Sequence, residues 1–263
     1  MLIDTHAHLD YPEFEPDFAE ILQRATNSGI TRMVSIATGL ASSHKVIKLA
    51  KTYSPIFPVV GVHPNNVDEE PDDFIASLQA IIQENNVAAI GETGLDYYRM
   101  EAGENFAVNK ARQASFFRQQ LELAADFGLN VVIHQRAAWD DTISILAEYG
   151  SRIKAVFHCF GEDLARLRQV IDMGHLVSFT GIATFKNGEN MRSAARILVP
   201  GQFMVETDCP YLAPVPFRGK RCEPAHTRLV AEVLAQARGE TLETFAAHTT
   251  ATAESFFRIS KNL

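Results

Sequence analysis

The sequence contains no apolar run near the ~18 residues a membrane-spanning helix requires, so no membrane partner is expected. It also lacks a basic excess. Its 24 Lys and Arg stand against 32 Asp and Glu, a formal net charge of −8, which argues against wholesale coating of nucleic acid. A local anion site in which metal ions supply the positive charge remains compatible with that balance. Cysteine is scarce: Cys159, Cys209 and Cys222 are an odd number. Met1 leads directly into a strand pattern, without the basic and apolar segments of an export signal. Free thiols in a reducing cytoplasm are the expectation. Linkers, repeats and low-complexity tracts are missing as well, so residues 1–263 are expected to form a single domain, and a monomer or weak oligomer.

What is present is alternation. Strand-like runs are expected at Leu2–Thr5, Arg32–Ala37, Phe57–Val62, Val87–Gly91, Asn130–His134, Ala155–His158, His175–Phe179 and Gln202–Glu206. Between them, Asp17–Ser28, Ser43–Thr52, Asp72–Glu84, Lys110–Phe127, Ala138–Glu148, Glu162–Met173 and Asn190–Leu198 space apolar residues by three and four, as amphipathic helices do. Gly29, Gly128 and Gly174 suit left-handed helix caps. Helical segments near Glu223–Arg238 and Leu242–Phe257 close the chain. Eight strands each followed by a helix predict a parallel sheet and a (β/α)8 TIM barrel, with a doubly wound open sheet as the alternative.

The strand ends carry the chemistry. His6 and His8 lie one residue apart, so in an extended strand their imidazoles leave on one face roughly 7 Å apart and can converge on one ion. Later strands end at His63, Glu92, His134, His158, and Glu206 with Asp208. In a barrel these ends meet on one face, where His226 from the following loop is also a candidate. His44, His175 and His248 sit on helical segments or at a strand start and are expected to pack. Six ligands exceed what one catalytic zinc takes. The economical arrangement places His6, His8 and Asp208 on one ion, His134 and His158 on another, and Glu92 between. Two such ions ~3.5–4 Å apart can activate a water and clamp a phosphate ester, and the same geometry serves amides and lactones.

In HAHLD at His6–Asp10, GVHP at Gly61–Pro64, GETGLDYY at Gly91–Tyr98, His134, HCF at His158–Phe160, SFTG at Ser178–Gly181 and ETDCPYL at Glu206–Leu212, the sequence resembles the TatD family of the amidohydrolase superfamily. The resemblance runs in order over the whole chain. It implies a distorted TIM barrel and two or three divalent ions, Mg, Mn or Zn. It also implies hydrolysis of DNA phosphodiesters, often from a 3′ end, so DNA with 3′ ends or single strands is the expected substrate. Its ligands carry over to His6, His8, Glu92, His134, His158 and Asp208. The chain departs from the pattern at Gln135 and Ala137, at Cys222 after RGKR, and in TTATAESFF near the C-terminus; none is a proposed ligand.

Asp208 is placed to accept a proton from water as well as to bind metal. His63 is expected to contact a phosphate oxygen or support a third ion, and Glu206 to orient a ligand. Arg99, Arg136, Arg218 and Lys220 are candidate phosphate contacts, with solvated surface charge as the other reading. Tyr97, Tyr98 and Phe160 are candidates for base stacking, and core packing is expected to claim at least two of them. Cys159 and Cys209 are expected to pack. Two other functions are compatible with the barrel: an amide or lactone hydrolase, and a non-catalytic metal-stabilised scaffold. The first commonly bridges its metals with a carboxylated lysine where this chain has Glu92.

Overall fold

The computed structural model describes residues 1–98, 100 and 105–259, so the candidate Arg99 lies outside the described residues. The strands are β1 (Leu2–Ala7), β2 (Ile30–Ile36), β3 (Ile56–Val60), β4 (Ala89–Asp96), β5 (Val131–Arg136), β6 (Ala155–Phe157), β7 (Leu176–Phe179) and β8 (Phe203–Val205). The helices are α1 (Phe18–Asn27), α2 (Leu40–Thr52), α3 (Phe74–Glu84), α4 (Phe106–Phe127), α5 (Trp139–Ala147), α6 (Leu164–Asp172), α7 (Glu189–Ile197), α8 (Thr227–Arg238) and α9 (Leu242–Phe257). The strands follow one another from β1 to β8 in a single sheet. This is the (β/α)8 TIM-barrel fold expected from the alternation. Among the described residues no helix is long and apolar enough to cross a membrane.

The chain divides into two compact units, one comprising Met1–Ser35, Tyr53–Phe57 and His158–Leu263, the other Ile36–Thr52 and Pro58–Phe157. In the first, β1 pairs with β2 and β7 with β8, all parallel. Every residue of β1 is buried, as in a parallel strand covered on both faces. Phe203 of β8 packs 6.0 Å from Phe179 and 5.7 Å from Phe245 of α9, ring centre to ring centre. Gly29 and Gly174 follow α1 and α6 with φ of +83° each, as the caps required.

In the second unit β4 pairs with β3 and β5, and β5 with β6. Phe74 of α3 and Phe116 of α4 stack at 4.1 Å. Gly128 caps α4 at φ +61°. Here the expected strand end at Gly91 shifts: β4 runs on to Asp96. Its partners in β5 are Ile133, His134, Gln135 and Arg136, opposite Thr93, Gly94, Leu95 and Asp96. Backbone pairing thus carries the strand past its expected end at Gly91 to Asp96. Register shifts between Ile90 and Thr93, and twice along β1, supply the expected distortion.

Gly94 is the residue that allows this pairing. A Cβ there would lie 2.0 Å from the His134 carbonyl oxygen, on a backbone with φ +140°. Gly94→Ala therefore forces β4 and β5 apart, and is expected to lower stability by about 2 kcal/mol or more in urea denaturation. An unchanged denaturation midpoint would count against the close approach.

Candidate metal centres

In the first unit β1 carries His6 near its C-terminal end, and His8 follows one residue beyond it. β8 stops at Val205, so strand alternation does not govern what comes next; Asp208 adopts φ +61° instead. Backbone hydrogen bonds set that turn against β1: Asp208 N donates to His6 O at 2.9 Å, and His8 N to Cys209 O at 2.9 Å. Beneath them the buried Asp4 accepts from the Thr207 amide at 2.9 Å and from its hydroxyl at 2.6 Å. Burial pushes the Asp4 carboxyl up to about 7, with the Thr207 and His6 hydrogen bonds pulling it back.

Asp208 Oδ1 lies 3.6 Å from His6 Nε2 and 3.4 Å from His8 Nε2. Burial pushes the Asp208 carboxyl up, yet the His8 hydrogen bond and the charges of His6, His158 and His8 outweigh it and hold the carboxyl below its usual range. The His158 ring stacks on His6 at 4.1 Å, and its Nδ1 lies 3.5 Å from Glu206 Oε1. Glu206 is buried; its Oε1 accepts from Cys159 N at 2.8 Å, and its Oε2 from the Thr5 hydroxyl at 3.5 Å. Two sets of ligand atoms fall within 4.8 Å of one another, His6/His8/Asp208 and His6/His158/Glu206.

The second unit brings His63, Glu92 and His134 together within the same limit. His134 Nδ1 lies 2.7 Å from Glu92 Oε1 and 3.2 Å from His63 Nε2. The other nitrogen of His134 meets Asp96 Oδ2 at 3.2 Å, which fixes the ring from behind. Asp96 also accepts from Asn65 Nδ2 at 3.0 Å and Tyr98 N at 2.9 Å. Its burial raises its acidity constant's pK, but His134, Asn65 and the Tyr98 amide dominate and bring it down to about 2. Gln113 of α4 holds both sides of this loop, accepting from Asp96 N and donating to Pro64 O and Asp96 O. His63 Nδ1 accepts from Asn65 N at 3.0 Å, so in the neutral ring the proton sits on Nε2 and makes that atom a donor.

The remaining candidates lie as follows. Arg136, exposed at the end of β5, stacks over the Tyr98 ring at 3.8 Å. Arg218 lies 4.2 Å over Phe185, and it and Lys220 are exposed. Phe160 is buried, and the Tyr97 hydroxyl donates to Asp141 at 2.9 Å, so these two rings pack. His226 serves a different end: its Nδ1 accepts from Glu223 N at 3.4 Å in a helix-entry cap, and its ring stacks on Phe217 at 4.6 Å. His175 and His248 pack as expected, whereas His44 is exposed on α2. Sequence reasoning missed Asp4, Asp96 and Gln113. Asp96 was within reach, because Glu92, Gly94 and Asp96 share one strand face.

The family model for TatD related DNase matches residues 3–258. The YcfH protein of Escherichia coli K12, described as an uncharacterized metal-dependent hydrolase, is 36% identical over 262 residues, covering 98% of this chain and 96% of the relative. A Klebsiella pneumoniae protein named 3′-5′ ssDNA/RNA exonuclease TatD is 29% identical, over 99% of each chain. The crystal structure of YJJV, a TatD homolog from E. coli K12, superposes with a TM-score of 0.90 at 27% identity over 98% of each chain.

Asp96→Ala removes the acceptor behind His134 and leaves the fold's apolar core untouched. It is expected to weaken divalent-ion binding 10–100-fold, read by metal titration with stoichiometry. Unaltered affinity would show that Asp96 does not orient the ring.

Proposed function

The chain belongs to the TatD-related DNase family and is a metal-dependent hydrolase acting on ester bonds, and from that premise we propose that it hydrolyses DNA phosphodiesters from single-stranded 3′ ends. The observation that carries this reading is the grouping of imidazole and carboxylate atoms within 4.8 Å of one another, on a chain related to a named exonuclease. The donors fit the implied ions: mixed nitrogen and oxygen ligands suit zinc and manganese, and the carboxylates also suit magnesium. His6, His8, His158 and Asp208 in the first unit, and Glu92 and His134 in the second, would each hold divalent ions. Bound there, a divalent ion supplies Lewis acidity, lowering the pKa of water toward ~7 and neutralising charge on a phosphate oxygen.

The chain's own groups then divide the work. Asp208, held ionised by its histidines, accepts the proton from the attacking water. His63 donates its Nε2 proton to a phosphate oxygen, a role that fits the acceptor bond at its Nδ1. Glu206 holds His158 in orientation through their 3.5 Å contact. Glu92 carries the carboxylate of the His63/His134 group. Arg136, Arg218 and Lys220 receive neighbouring phosphates, arginine by its planar fork. The free thiols of Cys159, Cys209 and Cys222 suit a reducing compartment, and we place the enzyme in the cytoplasm.

Exhaustive chelation is expected to abolish hydrolysis of 3′-tailed DNA, and Mg²⁺, Mn²⁺ or Zn²⁺ to restore it, in an assay that also offers RNA, a lactone and an amide. Full turnover by demetallated protein would remove the mechanism; turnover of only the lactone or amide would move the chain to the other hydrolase class. Asp208→Asn keeps size and one oxygen, and is expected to lower kcat on the order of 10²-fold or more with little change in stability. A folded variant with wild-type kcat would assign the proton to another group, Glu206 first.

A further inference from the structure

Two tyrosines of the first unit stand beside the His6/His8/Asp208 group, and each is tied to one of its ligands. Tyr11 is three residues after His8, and its amide donates to His8 O at 3.2 Å. Tyr211 is three residues after Asp208, and its amide donates to Asp208 O at 3.0 Å. Both turns thus start on a candidate ligand, and both phenol rings lie beside His8. The Tyr11 ring stacks on His8 at 4.9 Å with 18° between planes. Tyr211 meets Tyr11 nearly edge-on, at 6.2 Å and 83°, and lies 6.5 Å from the His8 ring.

The rings differ in exposure. Tyr11 is half-buried, while Tyr211 leaves 52% of its surface open. An exposed tyrosine alone is ordinary surface. This one is held by a backbone bond to a metal-ligand residue and braced by a second ring. Its backbone is therefore tied to the group proposed to hold the metal, and its ring rests against Tyr11. A chain with a net charge of −8 has little general attraction for a polyanion, so affinity must come from local contacts near the reacting group.

We propose that Tyr211, braced by Tyr11, is a stacking shelf for the nucleobase next to the phosphate being hydrolysed, an inference that rests on the nuclease reading above. Every base has a π face, so the shelf grips a strand without reading its sequence. A base in a duplex is already stacked on its neighbours and must be extruded first, so the shelf selects single strands. A lactone or amide with no aromatic group gains nothing from it.

The test uses wild-type protein, Tyr211→Ala and Tyr211→Phe on a single-stranded oligonucleotide and on the same strand with abasic residues at its 3′ end. Tyr211→Ala is expected to raise KM for the natural strand by about 10-fold with kcat little changed, and Tyr211→Phe to restore it. Anisotropy of a labelled, phosphorothioate-ended strand should show the same rise in Kd. On the abasic strand wild type and Tyr211→Ala should coincide. Wild type that cleaves DNA while Tyr211→Ala matches it in KM overturns the shelf alone, as does an equal loss on the abasic strand. Wild type that cleaves neither strand overturns the nuclease reading and the shelf with it.

Discussion

The geometry of the first unit's site depends on one buried carboxylate. Asp4 takes the amide and hydroxyl of Thr207 at 2.9 and 2.6 Å, and the Thr207 hydroxyl in turn accepts from Cys209 N at 3.2 Å. This fixes β1 against the segment that carries Asp208. A slip of one residue in β1 would turn His6 and His8 to the opposite face. Leaving Thr207's buried donors unmet would cost about 1–3 kcal/mol, so the correct register is strongly preferred. The burial that raises the Asp4 carboxyl to about 7 is the cost of placing this tie inside the protein.

The two groups of ligands are held by different means. His6, His8 and Asp208 are positioned by main-chain bonds across β1 and the turn after β8. His134 is positioned by side chains: Asp96 holds its ring, Asn65 Nδ2 holds Asp96, and Gln113 reaches in from α4 to hold the loop, while the His63 ring takes the main-chain amide of Asn65. Main-chain positioning tolerates side-chain replacement except at residues such as Asp4 that anchor it. A side-chain relay is sensitive at every member. This difference explains how residues with no proposed contact to metal or substrate determine the geometry of those that have one.

Much of this was legible in the sequence because two periods are unambiguous. Alternating strand and helix patterns pointed to the barrel, and the expected strand ends pointed to His6, His63, Glu92, His134, His158 and Asp208, which the structure gathers into groups able to hold a metal. The chain hid what backbone conformation decides. Alternation put Glu206 and Asp208 on one strand face, but β8 ends at Val205 and the left-handed Asp208 makes the turn. His226 looked like a loop ligand, and only the packing of Phe217 and Glu223 around it shows a cap. Asp96 was missed because the strand was expected to end at Gly91, and only pairing with β5 carries β4 that far. Arg136 was named as a candidate phosphate contact, but not as the partner of the Tyr98 ring.

The tie between Asp4 and Thr207 joins residues 203 positions apart. On a ribosome, Asp4 emerges 203 residues before Thr207, and His6 and His8 wait with it until that partner has been made. Contacts of such long separation form late, because closing the loop costs entropy before the contact repays it. The His6/His8/Asp208 group is therefore assembled only after Asp208 has been made. A nascent chain, surrounded by the nucleic acids of the translation machinery, lacks that group until then.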